Sequence, residues 1–91
     1  QVDEAIDHLQ VVLDGFPDSF PTLRTAASLE ARRGNYDAAA ALLLRAYKVP
    51  GERTSTGIQA LKMLYRSGQD TEAEWLLSQD LKLAKRWASR R

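Results

Sequence analysis

The chain has 91 residues, of which 44% are apolar and 27% are charged, and its formal net charge is +1. This length suffices for one small domain, and the composition is typical of a globular protein. The sequence contains no cysteine, which excludes disulfide bonds, thiol catalysis and cysteine-ligated zinc. No run approaches the ~18 apolar residues of a membrane-spanning helix, and we expect no signal peptide. Because the chain begins with glutamine inside a predicted helix, we expect it to be part of a longer protein.

Apolar residues recur at the i, i+3, i+4 and i+7 spacing of amphipathic helices, and this pattern predicts five helical segments. The first covers about Val2 to Leu13, because Gly15 and Pro17 disfavour the continuation of a helix. The second covers about Phe20 to Arg33. Its predicted N-cap is Ser19, whose hydroxyl can accept a hydrogen bond from the first turn.

The third segment covers about Tyr36 to Lys48 and is apolar without interruption from Ala38 to Leu44. A helix without a polar face is a buried one, so this segment is predicted to lie centrally and to pack on both sides. The fourth covers about Ser55 to Ser67. The fifth opens at Thr71, which has capping-box spacing to Glu74, and runs without glycine or proline to about Ser89.

The sequence also matches itself at a fixed spacing of 34 residues. The positions that repeat are Ala5, Ala39 and Ala73; Leu9, Leu43 and Leu77; and Gly34 and Gly68. Each of the two glycines opens a turn before a helical segment. A period of this size is typical of helical hairpins that stack side by side and bury a shared core.

On these positions, and on the turns that begin at Gly34 and Gly68, the chain resembles the tetratricopeptide repeat family. The resemblance implies an all-α, right-handed α-solenoid of antiparallel helix pairs, with about five helices. Residues 1–16 would be the second helix of a preceding repeat and residues 19–51 one repeat. Residues 54–91 would be a further repeat with an extended C-terminal helix. In this family the small alanine allows the two helices of a pair to approach closely.

Five positions depart from the pattern of the family. Ala27 and Leu61 stand where a glycine is usual at the closest crossing of the helices. Leu23 and Gly57 stand where an aromatic residue is usual near the start of the first helix of a repeat. Asp80 stands where a small apolar residue is usual. The last helix pair is therefore expected to differ in packing or in register.

The resemblance further implies a concave groove that is lined by the first helix of each pair. The groove positions of the family fall on Arg24, Ser28, Arg32, Ile58, Gln59, Lys62, Tyr65 and Arg66. Basic residues recur on this face, and no acidic residue lies among them. We therefore expect the groove to bind an acidic protein or peptide partner through charge-assisted hydrogen bonds. A solvated helix face without a ligand is the alternative. Ser28 and Gln59 replace the asparagines with which the family binds a terminal carboxylate, which argues against that mode.

The charge of the chain is separated between its two ends. Residues 1–18 include five acidic residues and neither lysine nor arginine: Asp3, Glu4, Asp7, Asp14 and Asp18. Residues 82–91 include five basic residues and no acidic residue: Lys82, Lys85, Arg86, Arg90 and Arg91. Both ends also carry apolar edges, which predicts head-to-tail self-association or burial by neighbouring repeats. Two alternatives remain open. The basic end, with Trp87, could bind a polyanion, nucleic acid or membrane surface, or the whole segment could be a structural spacer.

The sequence offers little support for catalysis or metal binding. His8 is the single histidine, and with Glu4 and Asp7 it provides too few ligands at fixed geometry for a metal. No nucleophile is paired with a base and no phosphate-binding loop is present, so we expect neither enzyme activity, a cofactor nor a small-molecule substrate. Cytoplasm and bacterial periplasm fit equally. The alanine- and arginine-rich composition resembles that of bacterial arrays, some of which belong to exopolysaccharide export proteins, an analogy at family level.

Overall fold

A computed structural model describes residues 2–16, 19–48 and 53–89, without the side chains of residues 2, 3 and 53. The described residues form six helices and no strand, which confirms the all-α prediction. The helices are α1 (Val2–Gly15), α2 (Phe20–Arg32), α3 (Tyr36–Lys48), α4 (Arg53–Arg66), α5 (Asp70–Gln79) and α6 (Leu81–Ser89). The predicted terminator Pro17 lies outside these ranges. Within them, no helix has both the length and the hydropathy to cross a membrane.

The helices pack in chain order, and their buried apolar residues form three clusters that are linked by the half-buried Leu42, Leu44 and Met63. α1 contacts α2, α2 contacts α3, and α3 contacts α4, while α4 also contacts both α5 and α6. α3 therefore packs on both α2 and α4, as its apolar stretch predicts, but it is not buried all round, because Ala41 within that stretch is exposed. The two repeated alanines Ala39 and Ala73 are fully buried in α3 and α5, and Leu43 is buried one turn after the first of them. Their burial is consistent with the close helix approach that a small side chain permits.

The ends of α2 and α4 are equivalent turns, 34 residues apart. Gly34 and Gly68 have φ angles of +83° and +79°, in the left-handed region that glycine adopts without steric cost. Four backbone hydrogen bonds close the turns: Gly34 N–H to Ala31 O (3.0 Å), Asn35 N–H to Glu30 O (2.9 Å), Gly68 N–H to Tyr65 O (3.2 Å) and Gln69 N–H to Leu64 O (2.8 Å). This is the Schellman motif in both places. The glycine period of the sequence thus corresponds to a repeated backbone geometry.

The prediction of one helix from Thr71 to about Ser89 is wrong, because the chain breaks at Asp80. The backbone of Asp80 is extended, with φ −133° and ψ 100°, and its Oδ1 accepts a hydrogen bond from the N–H of Leu83 at 3.1 Å. Its Oδ2 accepts a hydrogen bond from the hydroxyl of Tyr47 in α3. Aspartate is a favoured N-cap, so one carboxylate both starts α6 and ties it to α3.

Two of the predicted helix caps also differ in the structure. α5 begins after Gln69 as its N-cap residue rather than at Thr71, so the predicted capping box does not form. Ser19 is the N-cap residue of α2, as predicted, but its hydroxyl donates to Thr22 Oγ1 at 2.9 Å instead of capping a backbone N–H. Both differences concern local hydrogen bonds and leave the helix order unchanged.

A close approach of three helices explains why glycine stands at position 57. A Cβ atom on Gly57 of α4 would lie 2.8 Å and 2.9 Å from the two Cδ atoms of Leu83 in α6, and 3.1 Å from Cε1 of Tyr47 in α3. Such distances are shorter than ordinary van der Waals contact. The side chains of the neighbouring helices thus fill the space that an aromatic residue at this position would require.

Candidate functional site

A cleft of about 310 Å³ lies between α2 and α4. Its lining is formed by Ala27, Ser28, Ala31, Leu43, Gln59, Lys62 and Met63. The alanines of α2 leave room because their side chains are short, and Leu43 lines the cleft from α3. The result is a lining that is apolar in part, with a few polar groups, which is the usual composition of a ligand site.

Three of the predicted groove residues meet in this cleft. Ser28 comes from α2, and Gln59 and Lys62 come from α4, so the side chains are brought together by the packing of the two helices. Ser28 and Lys62 are exposed, and Gln59 is half-buried. Together they offer a hydroxyl, an amide and an ammonium group, all of which can donate hydrogen bonds to a carboxylate or a backbone carbonyl.

Arg24 lies beside a second hollow, of about 430 Å³, on the surface of α2. Phe20, Pro21 and Thr25 line the hollow with it, and Ser28 lines both the hollow and the cleft. The guanidinium carbon of Arg24 lies 5.8 Å from the centroid of the Phe20 ring, within the range of a cation–π contact. Arg24 is therefore held against α2, next to the cleft through the shared Ser28.

Two further predicted residues pack toward the C-terminal helices rather than lining the cleft. Ile58 is half-buried and packs against the core cluster formed by α3 to α6. The ring of Tyr65 stacks on the ring of Trp87 in α6, with 5.7 Å between centroids and 18° between planes. The Tyr65–Trp87 pair joins α4 to α6.

The last two predicted residues also lie outside the cleft. The guanidinium of Arg66 lies over the ring of Tyr36 in α3, with 5.5 Å to the centroid. Arg32 is exposed near the C-terminal end of α2. The eight predicted positions therefore divide into three in the cleft, one beside it and four elsewhere on α2 and α4.

The electrostatic environment of the cleft favours an anion. The sequence of α4 contains no acidic residue, and Glu30 is the one acid of α2. Glu30 forms an ion pair with Arg33 at 3.2 Å and accepts a hydrogen bond from Asn35 Nδ2 at 3.3 Å. Its charge is thus offset at the end of α2, whereas Lys62 contributes a positive charge to the cleft lining.

The apolar part of the lining is not among the predicted groove residues. It consists of Ala27, Ala31 and Met63, together with Leu43, which the sequence marks as a repeat position. The i, i+4 spacing of the two alanines is the signal that could have indicated a narrow, open strip on α2. The distance between α2 and α4 decides whether such a strip becomes a cleft, and that distance is set by tertiary packing.

Across residues 2–16, 19–48 and 53–89, no three His, Asp or Glu side chains are grouped so that they could hold a metal ion. Comparisons with protein-family models, with curated proteins and with solved structures find no match to the chain. The tetratricopeptide resemblance therefore stays a prediction that depends on the residues of this sequence.

Proposed function

We propose that this chain is a tetratricopeptide-like array of helix pairs that binds a protein or peptide partner in the cleft between α2 and α4. Two features support an array: the repeated Schellman turns at Gly34 and Gly68, and the burial of Ala39 and Ala73 at equivalent positions. Arrays of stacked helix pairs present an extended surface, and their usual function is binding. The cleft is the observation that carries the functional part of the proposal.

The chemistry of the cleft favours an acidic peptide. Lys62 provides a charge that can form a charge-assisted hydrogen bond with a carboxylate, and Ser28 and Gln59 can bind a second oxygen or the peptide backbone. Ala31 and Met63, which are both half-buried, provide apolar surface for the aliphatic part of a side chain. A ligand with a carboxylate next to a small apolar residue uses both parts of the lining.

Binding to synthetic peptides tests this proposal. The probes are short, fluorescently labelled peptides that alternate Glu or Asp with Ala or Leu, and matched peptides in which Gln and Asn replace the acids. Fluorescence anisotropy at low salt measures their affinity for the chain. We expect the amide peptides to bind roughly fivefold more weakly, because their oxygens can still accept from Lys62 but lose the attraction between opposite charges, which contributes up to about 1 kcal/mol at an exposed site.

Lys62→Glu and Lys48→Glu form a matched pair of variants. Both change the net charge equally, but Lys62 lines the cleft whereas Lys48 is an exposed residue of α3 that does not line it. Lys62→Glu should abolish the binding of the acidic peptide, and Lys48→Glu should retain most of it. Equal affinities for the two variants, or equal affinities for acidic and amide peptides, would reject the cleft and favour a structural spacer.

A further inference from the structure

The outward face of α1 is acidic and has an apolar centre. Val11 is 69% exposed, and at about 100° per residue it lies on the opposite side of the helix from the core residues Leu9 and Leu13. Glu4, Asp7 and Asp14 lie within about 60° of Val11 on the same helical wheel, and all three are exposed. The sequence of α1 contains neither lysine nor arginine.

The outward face of α6 has the same design with the opposite charge. Leu81 is 70% exposed, whereas Leu83 is fully buried against α4. Lys85 lies about 40° from Leu81 on the helical wheel, and the exposed Lys82 and Arg86 lie about 100° and 140° from it in the same direction. The sequence of α6 contains no acidic residue.

These two faces belong to opposite ends of the packing order. Among the described helices α1 packs mainly on α2, and α6 packs on α4 and α5. The molecule is elongated, with principal extents of 37 × 26 × 21 Å. One copy can therefore present an acidic apolar face at one end and a basic apolar face at the other.

We propose that a second copy of this chain docks head to tail, with its α1 face against the α6 face of the first. Charge complementarity selects this occupant: α1 against α1 places acids together and α6 against α6 places bases together, whereas α1 against α6 pairs opposite charges around Val11 and Leu81. A head-to-tail contact leaves one face of each kind free, so association continues beyond a dimer. The proposal is independent of the cleft.

Light scattering coupled to size exclusion tests the contact with two neutralised variants. Asp7→Asn/Val11→Ser removes the charge and the apolar centre of the α1 face, and Leu81→Ser/Lys85→Gln does the same to the α6 face. All four side chains are exposed, so both variants should keep the helical circular dichroism of the parent chain. At low salt, the mass of the parent chain should rise with concentration, and each variant alone should remain a monomer.

The mixture of the two variants gives the decisive result. The intact α6 face of one variant can bind the intact α1 face of the other. The neutralised faces cannot bind a further copy, so the expected product is a 1:1 dimer that does not grow. About 1 M salt should dissociate it, because the screening length there is about 3 Å. A monomeric parent chain at all concentrations overturns the proposal, and so does association of either variant alone.

Vesicles with anionic lipids separate the remaining alternative. Binding of the parent chain to these vesicles without self-association would assign the basic face of α6 to a membrane surface and overturn head-to-tail docking. The Lys62→Glu variant should still associate, since Lys62 lines the cleft and belongs to neither end face. Failure of the docking proposal and failure of the cleft proposal are thus distinguishable.

Discussion

Replacement of Asp80 by alanine should strongly destabilise the protein. The carboxylate of Asp80 accepts the N–H of Leu83 at the start of α6 and the hydroxyl of Tyr47 in α3. Alanine removes both acceptors at once. We expect the loss of both the helix cap and the bond between α6 and the centre of the molecule.

The expected change in the free energy of unfolding is about 3 kcal/mol. Loss of an N-cap costs about 1 kcal/mol, and loss of a hydrogen bond to a charged acceptor about 1.5–3 kcal/mol. For a domain of this size 1 kcal/mol shifts the melting temperature by roughly 4–8 °C, so a decrease of roughly 12–24 °C should follow.

Chemical and thermal unfolding, followed by far-UV circular dichroism, provide the measurement. Asp80→Asn is the matched control, because its one amide oxygen can still cap the N–H of Leu83, while its NH2 group, in the place of Oδ2, can donate to the hydroxyl oxygen of Tyr47. It should cost about 1 kcal/mol, the charge assistance of that bond. A double-mutant cycle with Tyr47→Phe should give a coupling energy of about 1.5–3 kcal/mol between the two side chains.

Two outcomes would refute this reasoning. One is Asp80→Ala with a stability within about 0.5 kcal/mol of the parent chain, the size of an ordinary surface substitution. The other is a coupling energy near zero, since it would mean that the Tyr47 bond does not stabilise α6. A higher helical signal in Asp80→Ala without loss of stability would assign the break between α5 and α6 to local propensity alone.

Substitutions at three glycines should have three different effects on stability. Gly68→Ala should cost about 1–2 kcal/mol in denaturant unfolding, because its φ of +79° is strained for alanine although nothing lies within 4 Å of the added Cβ. Gly57→Ala should also destabilise, since overpacking against Leu83 costs about 1–3 kcal/mol and the helix propensity gained is about 1 kcal/mol. Gly15→Ala, where nothing lies within 4 Å of the added Cβ, should stabilise the protein by up to about 1 kcal/mol. A decrease in stability for this variant would count against the costs expected for Gly68→Ala and Gly57→Ala.

Local sequence patterns were sufficient for most of the helices. The predicted bounds of the first four segments agree with α1 to α4 within about two residues, because apolar periodicity and capping residues act over one or two turns. The two glycine turns were predictable for the same reason. The break at Asp80 was not, since no glycine or proline marks it and its hydroxyl partner, Tyr47, lies 33 residues earlier in the chain.

The candidate site was predictable only in part. Helical spacing and the family resemblance selected Ser28, Gln59 and Lys62, which the structure brings together. Tyr65 and Arg66 were predicted in the same way, but both contact aromatic residues of other helices. The ring of Tyr65 stacks on Trp87, and the guanidinium of Arg66 lies over the ring of Tyr36. A helical wheel shows on which side of its helix a residue lies, but not which neighbouring helix lies on that side.

The amino-acid sequence alone determined the class of the protein: all-α, with a 34-residue period whose glycines end two helices in the same backbone turn. These features depend on interactions within a few residues. Only the tertiary structure decided where the last helix breaks, how closely α4 approaches α6, and which side chains border the cleft. Those features depend on contacts between residues far apart in the chain, such as the space available to one Cβ atom or the hydrogen-bond partner of one carboxylate. Local sequence patterns do not describe such contacts.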